Sequence, residues 1–188
     1  MRWLVIPMAC ALLATTASAV EPGDRPDARL ATSSGEAVRL SGQRGKPVVL
    51  FYEDRDTTEQ NAPLKKALFA LGEARHLLDA VKVVAVANLE AWSWWPARGF
   101  ALAAVRDEEA KAGIPVYVDL EGTLSRPPWN LPKKASSVLV LDETGKVLFV
   151  ASGPLTGAER ARVLALLESL LSRSDAHGRA APKAAPGG

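Results

Sequence analysis

Three short runs of this chain are almost wholly apolar, with no polar alternation: Val48–Tyr52, Val81–Ala87 and Ile114–Asp119. A strand wetted on one face alternates, so runs like these read as strands covered on both faces, inside an α/β sheet. Between them the period changes. From Asn61 onward, Leu64, Ala67, Leu68 and Leu71 recur at helical intervals, and Pro63 suits a first turn, where its missing N–H is not needed. Arg98–Ala112 reads as an Ala-rich helix, closed by Gly113 with Pro115 beyond. Ahead of this core, Ala28–Ala31 and Ala37–Leu40 flank a turn at Ser33-Ser34-Gly35, which predicts a hairpin. Behind it, Val138–Leu141 and Val147–Val150 form a second hairpin across Asp142–Gly145. A capping box at Thr156–Glu159 then starts a helix through Leu171. The order β-β-β-α-β-α-β-β-β-α implies an α/β, three-layer fold, a mixed central sheet with helices on both faces and an N-terminal β-hairpin.

The 188 residues suffice for one domain with extensions. Residues 1–19 read as a signal peptide: Arg2, an apolar run over Trp3–Leu13, and the small-x-small site Ala17-Ser18-Ala19. The run is too short for a transmembrane anchor. Pro7-Met8-Ala9 is a poor lead-in for lipidation, so a lipoprotein anchored at Cys10 is not expected. The expected divisions are a signal peptide at 1–19, an extended lead-in at 20–27, a domain at 28–172 and a disordered Ala/Pro/Gly-rich tail at 173–188. Cys10 is the single cysteine, so residues 20–188 carry none. An exported domain with a full-sized core and no disulfide suits a periplasm or secretion. The 23 basic and 21 acidic side chains give no electrostatic footprint for nucleic acid. No cofactor motif and no metal-ligand spacing is present; His76 and His177 have no partner spacing, and Ser136 and Ser137 no neighbouring base.

The element order, with Gly35–Leu40, Gly45–Tyr52 and Val138–Val147 at its corners, resembles the thioredoxin-like fold of exported TlpA/ResA proteins and peroxiredoxins. More narrowly it resembles the YtfJ-type periplasmic proteins, through Asn61-Ala-Pro-Leu64, Pro128-Trp129, Ser136–Asp142 and Gly153-Pro-Leu-Thr156. The resemblance covers about Ala28 to Leu171 and implies a redox site where this chain departs from the pattern. In redox-active relatives a CxxC follows the central strand. Counted from Phe51, its cysteines would fall near Asp56 and Glu59. Carboxylates supply neither an attacking thiolate nor a resolving thiol, so thiol–disulfide oxidoreductase and peroxidase activity are expected to be absent. The cis-proline place falls on Ser136; a cis peptide before a non-proline costs about 3–4 kcal/mol, so trans is expected.

Two groups of residues could still carry function. Glu53, Asp54, Asp56 and Glu59, with Thr57 and Thr58, could hold a divalent cation through oxygen ligands. Equally, Asp56 or Thr57 could cap the helix, with Glu59 or Gln60 closing a capping box. Trp92, Trp94, Trp95 and Trp129 leave the C-terminal ends of strands, the edge where open α/β sheets bind ligands. They could anchor a partner or form a lid on the sheet. If the segment is extended, Trp92 and Trp94 share a packing side and Trp95 is the exposed ring. Lys133 and Lys134 flank the same rim. The expected function is non-catalytic: an exported thioredoxin-like module that binds a protein or peptide at a groove bounded by Asp54–Gln60, Trp129 and Lys133–Ser137. The alternative is a metal-dependent or hydrolytic enzyme using the Glu53–Glu59 loop. A third reading is an accessory that docks a dithiol protein.

Overall fold

All six residues of β3 (Val48–Glu53) are buried, as the unbroken apolar run predicts for a strand paired on both edges and covered on both faces. In the computed structural model, which describes residues 19–75 and 80–180, β3 is a central strand of a seven-stranded sheet ordered β2-β1-β5-β4-β3-β6-β7. The other strands are β1 (Arg29–Thr32), β2 (Ala37–Arg39), β4 (Lys82–Asn88), β5 (Val116–Asp119), β6 (Ser137–Leu141) and β7 (Val147–Ser152). β3, β4 and β5 run parallel, while β6 is antiparallel to β3 and β1 antiparallel to β5. The α/β class and mixed sheet implied by the element order are the architecture adopted. Cys10, His76 and the remainder of the signal segment before Ala19 lie outside the described residues.

Among the described residues three long helices complete the fold: α1 (Ala62–Arg75), α2 (Ala97–Ala112) and α3 (Gly157–Ala180). Leu64 and Leu68 of α1 and Val163, Leu167 and Leu170 of α3 pack with Val49, Phe51, Val138 and Val140 on one face of the sheet. Over the other face the packing layer is irregular chain. Val20, Ala28, Leu124, Trp129 and Leu131 close over Leu50, Tyr52, Val84, Val86 and Leu139. α2 stands against β5, with Ala97 and Val105 as its buried residues and Gly113 (φ +66°) as its left-handed C-cap. The capping box before α3 forms as expected: Thr156 N–H donates to Glu159 Oε2 at 2.7 Å, and Glu159 N–H to Thr156 Oγ1 at 3.2 Å.

The expected tail at 173–188 needs correction at its start, because α3 continues to Ala180. Residues 173–180 contain no proline to break the run of backbone hydrogen bonds. Residues 181–188 lie outside the described residues. Among the described residues, no helix is long and apolar enough to cross a membrane.

Candidate functional site

The parallel strands β3, β4 and β5 deliver their C-terminal ends to one edge of the sheet, and β6 begins there, with Ser137 opposite Tyr52. Three connections meet at this edge: residues 54–61, 89–96 and 120–136. They carry nearly every candidate residue of the sequence, and two separate polar centres are built there.

The inner centre is built on Glu53 and Ser136. The Ser136 hydroxyl donates to Glu53 Oε1 at 2.7 Å and accepts from Asn61 Nδ2 at 2.9 Å. Ser136 N–H donates to Gln60 Oε1 at 2.9 Å. Asn61 also donates to the Gly153 carbonyl and accepts from Leu155 N–H, at 3.1 and 3.0 Å. Lys65 Nζ binds Glu53 Oε2 and the Thr58 carbonyl, each at 2.7 Å, and lies 5.4 Å from the centroid of the Phe51 ring. Glu53, Asn61 and Ser136 are all buried. Burying such groups is tolerable only when each is partnered, and here each is. The network ties β3, α1, β6 and the turn after β7 together at the place the resemblance assigns to a cis-proline. The cis peptides among the described residues are Trp95–Pro96 and Pro127–Pro128, so the bond before Ser136 is trans.

The carboxylates of the 53–59 loop do not converge. Glu53 turns inward to Ser136 and Lys65, Asp54 is half-buried beside Asn88, and Asp56 and Glu59 are exposed. Burial pushes the Asp54 carboxyl up, with Asp56 adding to the shift, while Asn88, Lys133 and Lys134 oppose it. Capping is done by Thr57, which accepts from Asp54 N–H at 2.9 Å and donates back to the Asp54 carbonyl at 3.1 Å. It closes a single 3-10 turn at Arg55–Thr57, and α1 starts only at Ala62, so neither expected cap serves that helix. Thr58 is exposed, its hydroxyl on the Arg55 carbonyl. No group of three His, Cys, Asp or Glu side chains among the described residues could hold a metal ion.

The outer centre is Glu90, just past the end of β4. Arg126 donates to Oε1 at 2.7 Å, Lys133 Nζ lies 2.6 Å from Oε2, and these cations hold the carboxyl below its usual range. Gly122 (φ +67°) gives the carboxylate room: a Cβ there would overlap it. Glu90 thereby pins the 89–96 connection to the 120–136 segment. Beneath it, Asp119 accepts from Thr123 and Leu124 N–H, each at 2.8 Å, and from the Tyr52 hydroxyl at 3.4 Å. Burial, with Asp119 alongside, pushes the Tyr52 phenol well above its usual range.

The tryptophans divide sharply. Trp129 is fully buried, with Nε1 donating to the Asp27 carbonyl at 3.2 Å. Its expected place as a wall of the groove is therefore corrected: a ring that closes the core cannot meet a partner. Trp95 is 89% exposed, and Trp94 and Trp92, expected to pack, are 62% and 47% exposed. They do not pack because a 3-10 turn at Glu90–Trp92, rather than an extended segment, carries them past the edge of the sheet. Lys133 and Lys134 are exposed, the first bound to Glu90. No sequence motif marks Glu90 or Arg126, and Asn61 enters the sequence reading only through the Asn61–Leu64 stretch; for Glu90 the available signal is a carboxylate two residues past an apolar strand.

A sequence model of the family YtfJ_HI0045, described as bacterial protein of unknown function, matches residues 52–170. None of the curated proteins matches the chain. Solved structures match over most of its length. The exposed lipoprotein thioredoxin Etrx1 of Streptococcus pneumoniae is 22% identical, with a TM-score of 0.55 over 77% of this chain and 99% of the other. A thiol peroxidase of Chromobacterium violaceum is 13% identical, with a TM-score of 0.55 over 80% and 88%. Peroxiredoxin Q of Xanthomonas campestris is 18% identical, with a TM-score of 0.52 over 76% and 90%. These likenesses establish a thioredoxin-like fold.

Proposed function

The chain belongs to the YtfJ_HI0045 family of bacterial proteins of unknown function, and from its own residues we propose an exported, non-redox thioredoxin-like module that binds a protein or peptide partner. The groove it would use is bordered by the Asp54–Gln60 loop on one side and by Lys133–Ser137 on the other. The observation that carries this reading is a contrast between neighbouring residues of this edge. Ser136 is buried and bonded to Glu53, Asn61 and Gln60. The positions that would hold thiols are the exposed carboxylates Asp56 and Glu59. Such a groove retains shape and charge and has no sulfur for exchange.

Partner binding here needs no cofactor, and opposite charges on the two sides give an extended peptide a direction. Export rests on the Met1–Ala19 pattern, with removal near Ala19. Chemical crosslinking in a periplasmic extract, comparing the natural chain with an Asp54→Lys/Lys134→Glu variant, tests the reading. Captured proteins lost from the variant support it, and identical captured sets overturn it. Insulin-reduction and peroxide-reduction assays are expected to be blank.

A further inference from the structure

The chain enters the domain abruptly. Ala19 is exposed, whereas Val20 is only 4% exposed and packs in the cluster that holds Leu50, Tyr52, Leu124 and Trp129. Val20 N–H donates to the Trp129 carbonyl at 3.1 Å. The residues after it are fastened as well. Glu21 N–H donates to Asp24 Oδ2 at 2.9 Å, Gly23 N–H to the Val147 carbonyl at 2.8 Å, and Val147 N–H to the Asp24 carbonyl at 2.9 Å. The Trp129 indole in turn donates to the Asp27 carbonyl. Residues 20–27 therefore hold Trp129 by its backbone and by its ring, in the segment that carries Lys133 and Lys134. The step from exposed to buried falls at the bond that Ala17-Ser18-Ala19 marks for removal.

We propose that the fold seals its own processing site: the Ala19–Val20 bond is cut while residues 20–24 are off the domain, and their docking closes it to peptidases. Resting on the export reading above, this makes docking the later step and leader removal the earlier one. Hydrolysis adds water across the bond and leaves Ala19 as a carboxylate and Val20 as an α-amine. A peptidase must enclose the chain on both sides of the bond and protonate the departing nitrogen. In the docked form the Val20 N–H lies on the Trp129 carbonyl and the Val20 side chain lies in the core, so neither is within reach. Cutting then waits on local opening, which the burial of Val20 and the bonds at Glu21, Gly23 and Asp24 oppose. The α-amine of the processed chain still has a proton to donate to the same carbonyl, so the seat survives the cut.

The test incubates the refolded full chain with purified bacterial signal peptidase and follows the 169-residue product (188 − 19) by mass. A Val20→Ser/Gly23→Pro version removes the buried side chain and the Gly23 donor, and proline does not fit the Gly23 backbone (φ +111°). Its junction is open whether or not the rest of the domain keeps its stability. The natural chain is expected to be cut between Ala19 and Val20 at least about tenfold more slowly than this variant. It is also expected to gain speed in urea concentrations below the global unfolding transition. Equal rates for the two chains overturn the proposal and leave the export reading standing. Failure to cut either chain at Ala19–Val20 overturns the export reading and the proposal with it.

Discussion

Glu53 and Glu90 stand at the ends of neighbouring parallel strands and are used in opposite ways. Glu53 turns into the protein, where Ser136 and Lys65 bind it and Asn61 completes the network. Glu90 turns along the surface and is held by Arg126 and Lys133, which are themselves largely exposed. The inner centre joins segments from across the chain and is scaffold. The outer one positions a loop whose rings and cations face solvent. One sheet edge thus divides into a half bonded into the core and a half turned to solvent.

The sharpest break in this comparison lies between two tryptophans. Trp129→Ala removes a fully buried ring and its bond to the Asp27 carbonyl and is expected to cost about 3–5 kcal/mol. Trp95→Ala should stay within about 0.5 kcal/mol, as exposed substitutions do. Urea unfolding of both variants checks the pair, and comparable losses would erase the distinction. Next in size is Asn61→Leu, which strips partners from Ser136, the Gly153 carbonyl and Leu155 N–H. About 3 kcal/mol is expected, because buried groups left unpaired cost more than the bonds contributed. A loss below about 1 kcal/mol would show that the inner centre is not scaffold.

The smallest effect belongs to Glu90. Its folded-state carboxyl titrates below the ordinary glutamate value because Lys133 and Arg126 lie beside it. The stabilisation is therefore present above the unfolded-state value and lost as pH falls through the folded-state value. With exposed, salt-screened partners it should amount to less than about 1 kcal/mol. Glu90→Gln is expected to flatten the acid side of the stability profile slightly, and to do so less in high salt. An unchanged acid limb would remove the clamp from the account.

Most of the fold is legible in the sequence because it is written in local periods. Val48–Tyr52 reads as a two-sided buried strand and Thr156–Glu159 as a helix start, and both are found as such. The candidate site is less legible because its contacts are distant along the chain. Ser136 lies 83 residues from Glu53 and 75 from Asn61, so neither pairing leaves a spacing to read. Glu53, a carboxylate abutting the apolar run Val48–Tyr52, is the local trace the network leaves. Trp129 and Trp95 are chemically the same ring; what separates them is the packing of Val20, Ala28 and Leu131 around the first, which no local pattern encodes. The helical reach of residues 173–180 shows the converse, a polar stretch ordered as the continuation of a packed helix.

The division of the edge is tested most directly by amide hydrogen exchange, resolved by residue, in the free protein. Leu155 and Ser136 N–H are bonded into the inner centre, and Trp92 and Ser93 N–H belong to the turn that carries the rings. The first pair is expected to exchange only through global opening, at least about a hundredfold more slowly than the second, which opens locally. Equal protection of the two sets would contradict the account, because it would make the edge a single cooperative unit rather than a scaffold carrying a separately opening loop.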